Sequence, residues 1–131
     1  MFSDETLYAA EIAKKAGKVV LGFHKRRLKR NWTSRHYFKT DADDASEKLI
    51  QRMIRARYTD YNVWSGEGGR SDKGSSYTWV WDAVDGTIPM YTGISDHFSV
   101  CGALCEGKRP ILGVANAVGR GEFYLAEVGK G

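Results

Sequence analysis

The stretch WVWDAVDGTIPMYTG, residues 79–93, raises the first question about this chain. It is an aromatic, β-rich run that ends in two acids, Asp82 and Asp85. No lysine or arginine lies between Lys73 and Lys108, so neither carboxylate has a basic neighbour in sequence. Two carboxylates held close together repel each other unless a positive charge compensates them. A bound metal ion would supply that charge, and a solvated turn is the alternative.

The composition is that of an ordinary globular protein. The 131 residues are 42% apolar, 12% aromatic and 27% charged, which suits one domain with a core and excludes a disordered chain. No apolar run approaches the roughly 20 residues that cross a bilayer, and the N-terminus lacks the apolar segment of a secretory signal. Cys101 and Cys105 would lie roughly 13 Å apart on one strand face, too far for a disulfide. We therefore expect reduced cysteines and a cytoplasmic location.

The net charge of +4 is unevenly distributed. Residues 12–40 carry ten lysines and arginines and no acid. This segment would attract phosphate groups on a small molecule or a nucleic acid, and Trp32, Tyr37 and Phe38 could stack on bases. A solvated helix face with its exit loop explains the same pattern. A basic nucleic-acid-binding module is therefore one alternative function.

Hydrophobic periodicity predicts two helices followed by a sheet. The first helix covers residues 4–29, with Ser3 as its cap, and the second covers residues 42–57. Between them, residues 30–40 read as an irregular basic link. After a short strand, YNVW, and a Gly/Ser-rich loop, the strand-like runs are YTWVWD, HFSVCGALCE, RPILGVANAV and EFYLAE, with EGKRP and GRGE as hairpin turns. The sequence predicts an α+β fold, two N-terminal helices on a mostly antiparallel sheet.

The predicted sheet is apolar on both of its faces. Phe98, Val100 and Leu104 alternate onto one face, and Cys101 and Ala103 onto the other. Two helices can cover only one face of a sheet. Either the protein forms a homo-oligomer through the uncovered face, or the chain is half of a longer fold.

The acids collect at places where binding sites are built. Asp43 and Glu47 share one face at the start of the second helix, Glu67 follows a strand, and Asp82 and Asp85 end another. Oxygen ligands without histidine or cysteine favour Mg²⁺, Mn²⁺ or Ca²⁺ over zinc. Alone, the pattern D-x-x-D-G-T leaves a metal site and a solvated turn both open.

Four motifs, in order and with compatible spacing, identify a family. They are TDADDASE (residues 40–47), GEGG (66–69), WVWDAVDGT (79–87) and FSVCGALCEGKRPILGV (98–114). The chain resembles the N-terminal half of the inositol monophosphatase superfamily, the Mg²⁺-dependent, lithium-sensitive phosphatases of small sugars, polyols and nucleotides. The resemblance implies the N-terminal part of a layered αβαβα fold. Residues 1–131 would be its metal-binding domain, with the C-terminal domain absent.

The resemblance also implies the ligands of a metal site. The carboxylates of Glu67, Asp82 and Asp85 and the carbonyl oxygen of Val84 match the positions that hold Mg²⁺ in the family. Such ions neutralise phosphate oxygens, acidify a water molecule and stabilise the leaving group of an in-line displacement. Mg²⁺ is therefore the expected cofactor and a small phosphorylated molecule the expected substrate.

The remaining implied roles concern water and phosphate. Asp43 and Thr87 match the catalytic pair that orients the attacking water, and the amides of Gly86 and Thr87 match those that hold the phosphate. Gly68 stands where the family has a second glutamate, and Ala83 where it has a proline. Family members are roughly twice as long, and their other half supplies a further ligating aspartate. We therefore expect the isolated chain to be poorly active, and a truncated or non-catalytic fragment that keeps the half-fold is the alternative.

Overall fold

The computed structural model describes residues 1–24, 30–32, 38–66, 69–92 and 96–130. In chain order its elements are α1 (Asp4–His24), β1 (Arg30–Trp32), β2 (Phe38–Thr40), α2 (Asp41–Arg57), β3 (Asn62–Ser65), β4 (Gly69–Ser71), β5 (Tyr77–Asp85), α3 (Thr87–Thr92), β6 (Ser99–Glu106), β7 (Arg109–Ala117) and β8 (Glu122–Glu127). The α1 and α2 helices pack against each other and against the sheet. The predicted α+β arrangement of helices on a mostly antiparallel sheet is confirmed.

The main sheet has six strands, in the order β4-β3-β5-β6-β7-β8. β3 runs parallel to β5, and the other neighbouring pairs are antiparallel. The predicted turns EGKRP and GRGE join β6 to β7 and β7 to β8 as hairpins. β4 is an addition to the prediction, because its three residues have no apolar alternation and lie in the stretch that reads as a Gly/Ser-rich loop.

The predicted irregular link over residues 30–40 is wrong where the structure describes it. β1 and β2 form a separate antiparallel pair, with Arg30 opposite Thr40. Strands of only three residues are too short to show a period in the sequence, which explains the difference. Residues 33–37 lie outside the described ranges, so Tyr37 as a base-stacking residue stays a prediction.

The α1 helix begins where the sequence predicts. The Ser3 hydroxyl accepts a hydrogen bond from the backbone N–H of Thr6 at 3.2 Å, which confirms the cap. One stripe of α1 is fully buried and includes Ile12, Ala13, Ala16 and Val20. The helix was expected to reach residue 29, but residues 25–29 lie outside the described ranges. Neither α1 nor any other described helix is long and apolar enough to cross a membrane.

The two long helices cover one face of the main sheet. Trp79, Trp81, Val100 and Leu104 lie on this face and are buried. Gly102 lies beneath the indole of Trp81, where an added Cβ would come within 2.5 Å of the ring carbons. Only glycine fits at that position without moving the tryptophan.

The opposite face, here called the outer face, is apolar but partly exposed. Val80 lies opposite Ala103, and Cys101 lies opposite Ala115 on the next strand. All four side chains, with that of Cys105, are only half-buried. The predicted apolar character of both faces is confirmed, and both cysteines are free, as expected.

Candidate active site

A register shift at the end of β5 brings the two signature acids to the same side. In a regular strand, residues three apart point to opposite faces. Between Asp82 and Asp85 the pairing with β6 shifts, while Ala83 and Val84 are 5% and 2% exposed. With these two consecutive residues turned inward, both carboxylates reach solvent. Such irregularities commonly redirect side chains next to active sites.

Gly86 forms the turn from β5 into α3. Its φ of 88° is in the left-handed region that favours glycine. A Cβ at this position would also lie 2.3 Å from the backbone oxygen of His97. Because both the dihedral angle and the space exclude a side chain, the glycine fixes how Thr87 follows Asp85.

The structure brings the two predicted catalytic residues into direct contact. The Thr87 hydroxyl donates a hydrogen bond to Oδ1 of Asp43 at 2.9 Å. Oδ2 of Asp43 accepts two further bonds from Thr40, one from its N–H and one from its hydroxyl, both at 2.8 Å. Asp43 is the third residue of α2, so this reciprocal capping locks the carboxylate in place. Thr87 is 2% exposed.

A second contact ties α2 to the strand that carries the acids. The hydroxyl of Ser46, which is fully buried, donates to the carbonyl oxygen of Ala83 at 2.9 Å. This bond holds the irregular part of β5 against the helix. Ser46 is not among the predicted site residues, although its position three residues after Asp43 places it on the same side of the helix.

Glu47 lies against the glycine-rich loop that follows β3. Its Oε1 accepts a hydrogen bond from the Ser65 hydroxyl at 3.2 Å. An added Cβ at Gly66 or at Gly69 would come within 2.6 Å of the same oxygen. The two glycines therefore allow the carboxylate to approach the loop backbone. Glu67, the predicted metal ligand between them, lies outside the described residues.

One side of α2 carries a polar side chain at every turn. We call Asp43, Glu47, Gln51 and Arg55 the polar row. Gln51 donates to the Ser65 hydroxyl at 3.0 Å, and Arg55 donates to Oε1 of Gln51 at 2.9 Å. The row therefore runs without interruption from the Asp43–Thr87 contact to the C-terminal end of the helix.

The acids influence one another electrostatically. Loss of hydration, and then the charge of Asp85, raise the pKa of Asp82 to about 6. Asp43 and Glu47 add to the increase, and a hydrogen bond from the Val84 N–H opposes it. Neither Asp82 nor Asp85 forms an ion pair with a lysine or arginine in the part of the chain that the structure describes. Among the described residues, the cluster is thus a negative site that no basic side chain compensates.

The donor chemistry of this cluster fits a hard divalent cation. Asp82 and Asp85 offer carboxylate oxygens, and their repulsion would be relieved by a cation. The carbonyl oxygen of Val84, the predicted backbone ligand, lies 3.3 Å from the Thr87 hydroxyl. Among the described residues, no three or more His, Cys, Asp or Glu are grouped closely enough to hold a metal ion. The remaining predicted ligand is Glu67, so the described residues contain only part of the set.

Comparisons with known proteins agree with the motifs. Residues 3–131 match the inositol monophosphatase family. A histidinol-phosphatase of Chlorobaculum parvum is 33% identical over 124 residues, which are 94% of this chain and 48% of that protein. The Nus factor SuhB of Pasteurella multocida is 35% identical over 126 residues, covering 94% of this chain and 47% of that protein. The chain therefore spans about half the length of the curated relatives it matches.

Solved structures show the same fold. The Thermotoga maritima IMPase superposes with a TM-score of 0.89 at 26% identity, covering 98% of this chain and 50% of that one. The extragenic suppressor protein SuhB of Bartonella henselae superposes with a TM-score of 0.91 at 22% identity, covering 98% and 51%. At 22% identity, the similarity to the Bartonella henselae protein shows a shared fold alone.

Proposed function

Because this chain belongs to the inositol monophosphatase family, we propose that it is the N-terminal, metal-binding half of a Mg²⁺-dependent phosphomonoesterase. The proposed substrate is a small phosphorylated sugar, polyol or nucleotide, hydrolysed by metal-activated water. A relative named histidinol-phosphatase supports a phosphatase activity. The proposal includes inhibition by Li⁺, which the family resemblance implies.

The observation that carries the proposal is the Asp43–Thr87 hydrogen bond beside an acid cluster that has no basic partner among the described side chains. A solvated turn has no need of a buried threonine fixed to a carboxylate that three hydrogen bonds hold in place. It also has no need of a strand irregularity that turns Asp82 and Asp85 to the same side. Both features are expected of a site in which reacting groups are positioned in advance.

The proposed metal ligands are the carboxylates of Glu67, Asp82 and Asp85 and the carbonyl oxygen of Val84. When bound there, Mg²⁺ supplies positive charge to the phosphate oxygens and the leaving group and acidifies a water molecule. Asp82 and Asp85 bind the cation in their ionised form, so the pKa of Asp82, raised to about 6, makes proton release part of binding at and below about pH 6.

Asp43 and Thr87 are proposed to orient the attacking water. The Thr87 hydroxyl donates its one hydrogen bond to Asp43, so its lone pairs stay available to accept a hydrogen bond from water. Asp43 is held by Thr40 and cannot turn away, which fixes the direction of those lone pairs. The amides of Gly86 and Thr87 are proposed to hold phosphate oxygens at the start of α3.

Metal binding by the chain itself provides the test. Mn²⁺, followed by electron paramagnetic resonance in a titration, should bind wild-type protein, and Asp82→Asn and Asp85→Asn should each weaken binding about tenfold or more. Asp60→Asn is the matched control, because Asp60 is exposed in the turn before β3 and should leave affinity unchanged. Equal affinities in all four proteins would contradict the proposed metal site.

A non-catalytic fragment that keeps the half-fold is the second candidate. The partly exposed outer face favours it, since an apolar face of this kind leads to association. We propose that the isolated chain forms a homo-oligomer through the outer face and hydrolyses phosphomonoesters poorly even with excess Mg²⁺. Free Cys101 and Cys105 support a reducing, cytoplasmic location. Light scattering with a phosphatase assay tests both points, and an active monomer would contradict this candidate.

A further inference from the structure

A cavity lies at the other end of the polar row from the acids. Its volume is about 330 Å³, it is partly open to solvent, and it is lined by the C-terminal half of α2, the turn that follows, and strands β3 and β4. This is within the usual range for small-molecule pockets, roughly 300–1,000 Å³. Among the described residues, Asp43, Asp82 and Asp85 are absent from its lining.

The floor and one wall of the cavity are apolar. Ile54 is fully buried and Val63 is 8% exposed. Tyr58 and Tyr61 form the wall, with ring centroids 5.1 Å apart and planes inclined by 30°. Burial, followed by the charge of Glu5, raises the pKa of both tyrosines, so their hydroxyls keep their protons near neutral pH. This part of the cavity suits the apolar body of a ligand and offers neutral hydrogen-bond donors.

The rim of the cavity is cationic. Arg55 and Lys73 line it, and no aspartate or glutamate of the described ranges does. Neither cation forms an ion pair with a carboxylate in the described part of the chain. The nearest acid in sequence, Asp72, accepts a hydrogen bond from the N–H of Gly74 at 3.0 Å. Arg70 also contributes to the lining, but its guanidinium lies 4.3 Å from the ring centroid of Trp64.

We propose that this cavity is a second binding site, which takes a small organic anion with an apolar body. The anionic group, a phosphate, phosphonate or carboxylate, binds Arg55 and Lys73 at the rim. The apolar body lies on Ile54, Val63 and the tyrosine wall. The site uses no residue of the acid cluster, so it does not depend on the metal or on the phosphatase activity.

The test is a calorimetric titration of the 131-residue chain with benzylphosphonate, which cannot be hydrolysed as a phosphate ester. EDTA is present throughout, so that a metal at the acid cluster cannot bind the phosphonate. We expect saturable binding in the millimolar range or tighter. Methylphosphonate, which lacks the apolar body, and benzyl alcohol, which lacks the charge, should each bind at least about tenfold more weakly.

Variants separate this site from general charge attraction. Lys73→Gln should weaken benzylphosphonate about fivefold to tenfold, because one charged contact is lost. Lys108→Gln removes the same charge at the exposed β6–β7 turn and should leave the affinity unchanged. Thr59→Trp, which fills the cavity from its exposed rim without changing charge, should abolish binding.

Three results would overturn the proposal. They are the absence of saturable binding to the folded wild-type chain, equal affinity of the Lys73 and Lys108 variants, and equal affinity for methylphosphonate and benzylphosphonate. Circular dichroism of each variant shows whether the fold is retained, and a folded Lys73→Gln protein with wild-type affinity would count against the site.

Discussion

Replacing Thr87 by valine removes the hydroxyl that donates to Asp43 and keeps the shape of the side chain. The position is 2% exposed, so water cannot replace the lost donor easily. A hydrogen bond to a charged group contributes about 1.5–3 kcal/mol to stability, and we expect Thr87→Val to lower the free energy of unfolding by that amount. Thr87→Ser is the matched control, since it keeps the hydroxyl and loses one methyl group, at a cost of about 0.8 kcal/mol.

Urea unfolding, followed by tryptophan fluorescence, measures this difference. The buffer should contain trimethylamine N-oxide, which strengthens apolar burial and gives the isolated chain a folded baseline. With an m-value of about 2 kcal/mol/M, a gap of about 1 kcal/mol between the variants separates their midpoints by about 0.5 M. In an Asp43→Ala background the order should reverse, with the valine variant more stable by about 0.8 kcal/mol, because only the methyl group that serine lacks still distinguishes the two. A valine variant more stable than the serine variant by about 0.8 kcal/mol in the wild-type background would show that the Asp43–Thr87 bond contributes nothing.

Three further changes have expected outcomes. In a longer, active protein that contains this chain, Asp43→Asn should lower turnover strongly while the affinity for Mn²⁺ stays within about twofold of wild type. An equal loss of turnover and of Mn²⁺ affinity would show that Asp43 is a metal ligand instead. Gly102→Ala should lower the free energy of unfolding by about 1–3 kcal/mol, because its Cβ would lie 2.5 Å from the buried Trp81 ring. Gly113→Ala is the control in the same urea assay and should be close to neutral, since its Cβ would lie 3.9 Å from the nearest atom, the backbone oxygen of Gly102. Glu127 accepts hydrogen bonds from hydroxyl groups of Thr6 and Ser3, which lower its pKa to about 2. The contribution of ionised Glu127 to stability is therefore complete above its unfolded pKa of about 4.3 and is lost as the pH falls toward 2. The free energies of unfolding of wild type and Glu127→Gln should therefore converge over that interval. A difference between them that stays constant with pH would contradict the role of these hydrogen bonds.

The secondary-structure elements with hydrophobic periodicity and the site residues within the family motifs could be predicted from the sequence. The long helices and β5 to β8 follow from apolar spacing, and the proximity of Asp43 to Thr87 follows from the family motifs. The features that could not be predicted from the sequence depend on contacts between segments that are distant in the chain. Three features are seen only in the folded chain, because no local sequence pattern predicts them. They are the pairing of β1 with β2, the hydrogen bond from Ser46 to Ala83, and the register shift that turns Asp82 and Asp85 to the same side.

The polar row restricts insertions and deletions within α2. Successive residues of an α-helix are rotated by about 100°, so one residue inserted between Asp43 and Arg55 would turn half of the row away from its partners. A single substitution therefore affects one contact of α2 with Thr87, Ser65 or the cavity, whereas an insertion or deletion between them disrupts several at once. Changes in length should be restricted to loops, such as the turn between β6 and β7, and a scan of single-residue insertions would map α2 as the segment where none is accepted.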